Sequence, residues 1–179
     1  AGAWGDIAGA TSATYSEPAA LTQTTEYRRA AISTAGCGTV YSNTITVTVY
    51  AQLLGGTVAS DQSVCYNTVP AAFTSTTPAS GGGGFNYQWQ SRVGAGAWGD
   101  IAGATGETYS ESSALTQTTE YRRAAISTAG CGTVYSNTIT VTVYAQLLGG
   151  TVASDQSVCY NTVPAGFTST TPASGGGGF

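Results

Sequence analysis

Few side chains in this chain could do chemistry. They are four cysteines, five arginines, nine carboxylates and three tryptophans, and none of the 179 residues is His, Lys or Met. A nucleophilic thiol needs a base or a cation beside it to hold the thiolate, and no histidine exists to serve. A zinc site needs close pairs such as C-x-x-C, whereas Cys37, Cys65, Cys131 and Cys159 are spaced by 28, 66 and 28 residues. Disulfides are the remaining use, and they point to an oxidising, extracellular setting. Four glycines at 81–84 lack the Lys and the helix of a phosphate cradle, so a flexible loop is expected. Asp61, Asp100, Glu107, Glu111 and Glu120 show no spacing that pairs two carboxylates for acid–base work, and the chain is expected not to be an enzyme. Calcium near a linker, through Asp61 or Asp155, would need clustered oxygen ligands. Each of these aspartates stands alone, and no cofactor is expected. Trp98, between Gly96 and Gly99, is a candidate for stacking on sugars, the other reading being packing over a sheet edge.

The elements that must position these groups are strands. Thr, Val, Tyr and Ile recur in short runs broken by Gly, Ser, Asn and Pro, and no sustained 3.6-residue apolar period appears. The clearest strand is 138–144, with Ile139, Val141 and Val143 on one face and threonines on the other. Others are read at 86–93, 98–101, 120–127, 133–135, 151–153 and 157–160. Trp89, Tyr109, Leu115, Tyr121, Phe73, Ile139, Val141 and Val143 are expected core residues. Arg123 is a conflict, because alternation puts it on the buried face of Tyr121. A bulge would turn it outward; a rim position would pair it with Glu120 or Glu111; a ligand-binding arginine is a third reading.

The arrangement repeats. Residues 1–85 recur as 95–179, differing at only five positions: Ser12/Gly106, Ala13/Glu107, Pro18/Ser112, Ala19/Ser113 and Ala72/Gly166. A 94-residue unit is large enough for its own core and too long for a solenoid repeat. With 138–144 as a last strand, the junctions fall at 51–56 and 145–150. The expected frame is then 1–50 as the C-terminal half of one module, 51–144 as a complete module, and 145–179 as the N-terminal part of the next. Neither partial module closes a core by itself. Either the chain continues or neighbouring chains complete them. Leu53, Leu54, Leu147 and Leu148 are expected to pack at the junctions and stiffen them. Within this frame Cys65 and Cys131 are expected to bond inside one module, closing a loop of about 66 residues worth roughly 4 kcal/mol, with Cys37 and Cys159 paired outside this sequence. The other arrangement, Cys37–Cys65 with Cys131–Cys159, would staple adjacent modules.

Charged residues make up 8% of the chain and the net charge is −4. Without clustered positive charge, nucleic acid is not an expected partner. No apolar run approaches the ~20 residues of a membrane helix, and membrane insertion is not expected.

About seven strands per 94 residues, with frequent turns, predict an all-β fold of tandem immunoglobulin-like β-sandwich modules. Leu115 and Tyr121, six apart, resemble a tyrosine corner, and Trp89 lies 24 residues after Cys65, where such a fold places its core Trp. The pattern departs from antibody domains at Arg123, where their second Cys would stand. Segments 65–71 (CYNTVPA), 87–90 (YQWQ), 101–105 (IAGAT), 121–123 (YRR) and 130–144 (GCGTVYSNTITVTVY) together resemble the repeats of giant Bacteroidota cell-surface adhesins of the SprB gliding-motility type. That resemblance implies type IX secretion, a bacterial cell-surface location, and a role in adhesion or gliding. Two functions are expected from it: a semi-rigid stalk, or an array in which each repeat binds glycans or solid surfaces weakly and acts by avidity. Neighbouring repeats of the same chain are the expected partners in either case.

Overall fold

The structure, a computed structural model, describes residues 2–178; the two terminal residues lie outside it. Every regular element among the described residues is a β-strand. The chain divides into two compact units, Ala1–Tyr50 and Ala51–Phe179.

The first unit has four three-residue strands: β1 (Thr25–Tyr27), β2 (Ala30–Ile32), β3 (Thr39–Tyr41) and β4 (Ile45–Val47). β1 pairs with β4 and β2 with β3, both antiparallel. Ile32, Val40, Ile45 and Val47 are all exposed.

The second unit contains β5 (Thr57–Val58), β6 (Gln62–Val64), β7 (Ser75–Thr77), β8 (Phe85–Val93), β9 (Gly99–Asp100), β10 (Thr119–Ser127), β11 (Thr133–Tyr135), β12 (Ile139–Val143), β13 (Thr151–Val152) and β14 (Ser169–Thr171). Six of these form one mixed sheet in the order β6-β12-β10-β8-β9, with β11 also on β10. β8 and β10 pair antiparallel over nine positions, from Thr119↔Val93 to Ser127↔Phe85. β6 joins β12 in parallel. β5 pairs with β7, and β13 with β14, as separate two-stranded sheets.

Alternation on β8, β10 and β12 sends Trp89, Tyr121, Ile139 and Val141 to one face. There they cluster with Val58 of β5, Phe73 and Ala104; Leu115, Tyr109 and Val64 pack against this cluster half-buried. Phe73 lies 4.6 Å from Tyr121 and 5.9 Å from Trp89 between ring centroids. The Trp89 indole N–H donates to the Gly106 carbonyl at 3.0 Å. Val143, expected in the core, is half-buried at the end of β12, where it pairs with Val64. A second, smaller cluster joins Leu53, Ala79 and Ala125, with Phe85, Tyr87 and Val134 against it.

Arg123 stands between the two clusters, fully buried. The register of β10 runs unbroken through it, and among the described residues no carboxylate pairs with it. Its guanidinium donates to the carbonyls of Glu107 at 2.7 Å, Gly55 at 3.4 Å and Thr77 at 3.4 Å. It also lies 4.2 Å from the Tyr87 ring centroid. The glycines at 81–84 are not a loose loop either. All four hold positive φ, from 65° to 105°. A Cβ at Gly81 would overlap the Gln52 carbonyl, and one at Gly82 would meet the Leu53 side chain.

The strand expected at 157–160 is absent, while β6, its counterpart 94 residues earlier, is present. β6 is held by β12, and 156–158 has no such strand to pair with. The local bonds are nevertheless kept. The Gln62 amide clasps both backbone groups of Ala71, and Gln156 does the same at Ala165.

Candidate functional site

The face of the sheet opposite Trp89 carries two arginines, Arg92 and Arg122. Gln90 and Arg92 of β8 alternate away from the core, and on β10 Glu120 and Arg122 stand across from Arg92 and Gln90. The Arg92 Nε pairs with the Glu120 carboxylate. Arg122 donates to Gln90 Oε1 at 2.8 Å, and Gln90 donates to Asp100 Oδ1 at 2.8 Å. Over this ladder lies Trp98, half-buried. The Arg122 guanidinium is 4.3 Å from the Trp98 ring centroid and 3.7 Å from that of Tyr135, and Arg92 is 4.6 Å from Trp98. Each such contact contributes about 0.5–1 kcal/mol at an exposed position. The first unit builds the same stack: Arg28 lies 4.1 Å from Trp4 and 3.9 Å from Tyr41. The motif therefore occurs twice, 94 residues apart, as a cluster of aromatic and guanidinium groups. It has the chemistry for weak stacking and hydrogen bonding at a surface, and Trp98 itself stacks on two arginines.

Tyr121 does bond back to the segment before its strand, but to a carboxylate. Its hydroxyl and that of Tyr109 each donate to Glu111 Oε2 at 3.1 Å. Glu111 Oε1 accepts the backbone N–H of Ser112 and Ser113. Burial first, and then the Glu111 charge, push Tyr109 up to about 12 and raise Tyr121 well above the ordinary tyrosine range. Tyr15 and Tyr27 share Glu17 in the same way. The sequence offered Glu111 as a partner for Arg123, not as the acceptor of Tyr109 and Tyr121, although Tyr-Ser-Glu is kept in both copies while four positions around it differ. Sequence reasoning passed over Asn137, whose side chain bonds both backbone groups of Val58 and so ties β5 to the approach to β12. Asp61 accepts the backbone N–H of Thr140 at 2.8 Å. Among the described residues no three Cys, Asp or Glu side chains gather as metal ligands.

The cysteines correct one expectation. Cys37, Cys65, Cys131 and Cys159 are all free and exposed. Cys65 follows β6, beyond the Thr119 end of β10, and Cys131 lies in the turn beyond its Ser127 end. Nine residues of strand separate those levels, about 26 Å at ~3.3 Å per residue. A disulfide needs Cα atoms within about 7 Å, so the Cys65–Cys131 bond is excluded by the length of β10.

The leucines also part ways. Leu53 is only 5% exposed and belongs to the second core cluster of its own unit. Leu54 is exposed and pairs by backbone with Ser80. Leu147 and Leu148, their copies, are 63% and 53% exposed.

The chain is thus an all-β protein whose sequence recurs every 94 residues. It belongs to a domain family of unknown function, DUF8696, whose model matches residues 2–51 and 54–145. No curated protein and no solved structure matches the chain.

Proposed function

We propose that the chain is a segment of a long extracellular filament on a bacterial surface. In this reading, immunoglobulin-like β-sandwich modules of 94 residues follow one another as a semi-rigid stalk for adhesion or gliding. The observation that carries it is the near-identity of 1–85 and 95–179. Copying a fold along a chain adds reach and valency, whereas an active site gains nothing from such copies. The sandwich reading is supported by Val58 and Phe73, which pack from outside the six-stranded sheet onto its Trp89 face. Scattering from this chain extended by further repeats tests the stalk. Each added repeat should lengthen the particle by about 35–45 Å, from strands of about ten residues at ~3.3 Å each plus a linker; a compact particle refutes it.

A second reading, weak binding by every repeat, is supported by the recurrence of the Trp98–Arg122–Tyr135 cluster at Trp4–Arg28–Tyr41. Immobilised glycans or abraded solid surfaces that retain the chain, and lose it on Trp98→Ala with Trp4→Ala, would favour avidity over reach.

A further inference from the structure

Cys65 lies at one end of the 51–144 repeat, in a cleft lined also by Asn67, Ala145, Gln146, Leu147 and Gly176. The last four belong to the start of the following repeat. Cys131 lies at the opposite end, in the turn after β10. Its backbone N–H donates to Ser127 Oγ at 3.1 Å, and Ser127 Oγ donates to the Gly82 carbonyl at 2.6 Å. Gly82 in turn donates to Ala51 at 2.8 Å. The 94-residue copy of Gly82 is Gly176, which makes the same bond to Ala145 at 2.8 Å. The bridge of Leu54 to Ser80 is likewise copied by Leu148 and Ser174. The start of the following repeat is therefore already built as the start of 51–144 is built. When residues equivalent to 86–144 follow it, their copy of Cys131 is carried on the turn that bonds Gly176, the residue that shares a cleft with Cys65.

We infer that the disulfide of this array joins Cys65 of one repeat to the Cys131-type cysteine of the next. This pairing differs from both arrangements that spacing suggests. Cys65–Cys131 spans the length of β10. Cys131–Cys159 and Cys37–Cys65 each join a cysteine at the start of one repeat to one at the far end of its successor. The inference rests on the reading that repeats follow one another end to end. It also accounts for four free thiols in one chain, because no Cys65-type cysteine in this sequence is followed by the Cys131-type cysteine of the next repeat. Formation is by exchange with a small-molecule disulfide such as oxidised glutathione. One protein thiolate attacks it and releases one small thiol. The second protein thiolate then displaces the other, so two protein thiols become one S–S bond and the small disulfide leaves as two thiols.

The test extends the chain by appending a second copy of residues 86–144 after residue 179, which completes the third repeat. It is oxidised in a glutathione buffer and mapped by non-reducing peptide mass spectrometry, with Trp fluorescence reporting that the chain is folded. The expected product links the Cys65 peptide to the appended cysteine, while Cys37, Cys131 and Cys159 stay alkylatable. Cys65→Ser should abolish it and Cys131→Ser should leave it intact. A Cys65–Cys131 or Cys131–Cys159 peptide, or Cys65 fully alkylated in the folded, oxidised chain, overturns the inference. Scattering from the same reduced sample separates the two failures: an extended particle with no crosslink sinks the disulfide alone, and a compact one sinks the end-to-end stalk beneath it.

Discussion

Two polar side chains, the buried Arg123 and the half-buried Glu111, hold the fold at the scale of single side chains. Arg123 supplies three backbone carbonyls with donors and separates the two apolar clusters. Truncating it leaves a void and buried acceptors without partners, a loss of about 3–5 kcal/mol. Arg123→Ala should accordingly lower the urea midpoint of the second unit sharply. Arg29→Ala should change little, because Arg29 is exposed. Burial of Tyr109 and Tyr121, and then the Glu111 charge, set the alkaline limit. The folded chain keeps Tyr109 and Tyr121 protonated to higher pH than the unfolded chain does, where tyrosine ionises near 10. Their stabilisation is therefore complete below about pH 10 and is lost as pH rises through about 12. Urea midpoints measured against pH should fall across that window. Glu111→Gln, by removing the carboxylate charge, should bring tyrosinate absorbance in at lower pH.

Strands were legible wherever alternation was long enough. The reading of 86–93, 120–127 and 138–144 matches β8, β10 and β12 within a residue, because Trp89, Tyr121 and Ile139 each sit in an apolar–polar alternation that only one face can bury. Pairing was not legible. That β6 meets β12 in parallel, or that Cys65 and Cys131 end up at opposite ends of β10, depends on contacts between distant residues, and loop length says nothing of where loop ends lie. The glycines misled for a related reason. Composition suggests slack, but Gly81, Gly82 and Gly84 lie against Gln52, Leu53 and Thr128 from elsewhere in the chain. Gly81→Ala should thus destabilise by about 1–3 kcal/mol, through a left-handed φ of 83° and overlap with the Gln52 carbonyl. Gly130→Ala, at a φ of 80° with open space around it, should cost less. Denaturation midpoints of the two variants give the comparison.

At the scale of the molecule, identical sequences reach different degrees of burial. Ile139 and Val141 are fully buried, while Ile45 and Val47, their copies, are 58% and 41% exposed. The difference is not in the residues themselves. The buried pair packs with Trp89 of β8 and Phe73, and the first unit contains no counterpart of either. Amides of β8, β10 and β12 should exchange with solvent orders of magnitude more slowly than those of β1–β4, which open by local fluctuation. Hydrogen exchange read by mass spectrometry would show equal rates if the copies were equally stable.

The parallel pairing of β6 with β12 has a mechanical consequence. β12 is the last strand before residue 144, and β6 is the second strand after the chain enters the unit at residue 51. Tension applied at residues 51 and 144 pulls these two strands past each other along their length. The bonds between Gln62–Val64 and Val141–Val143, with the Tyr144 N–H on Val64, are then loaded together. The antiparallel β8–β9 hairpin, pulled at its own ends, opens one bond at a time. Single-molecule stretching should record a higher rupture force for the first geometry than for the second, so a chain drawn taut resists along the direction in which it is loaded.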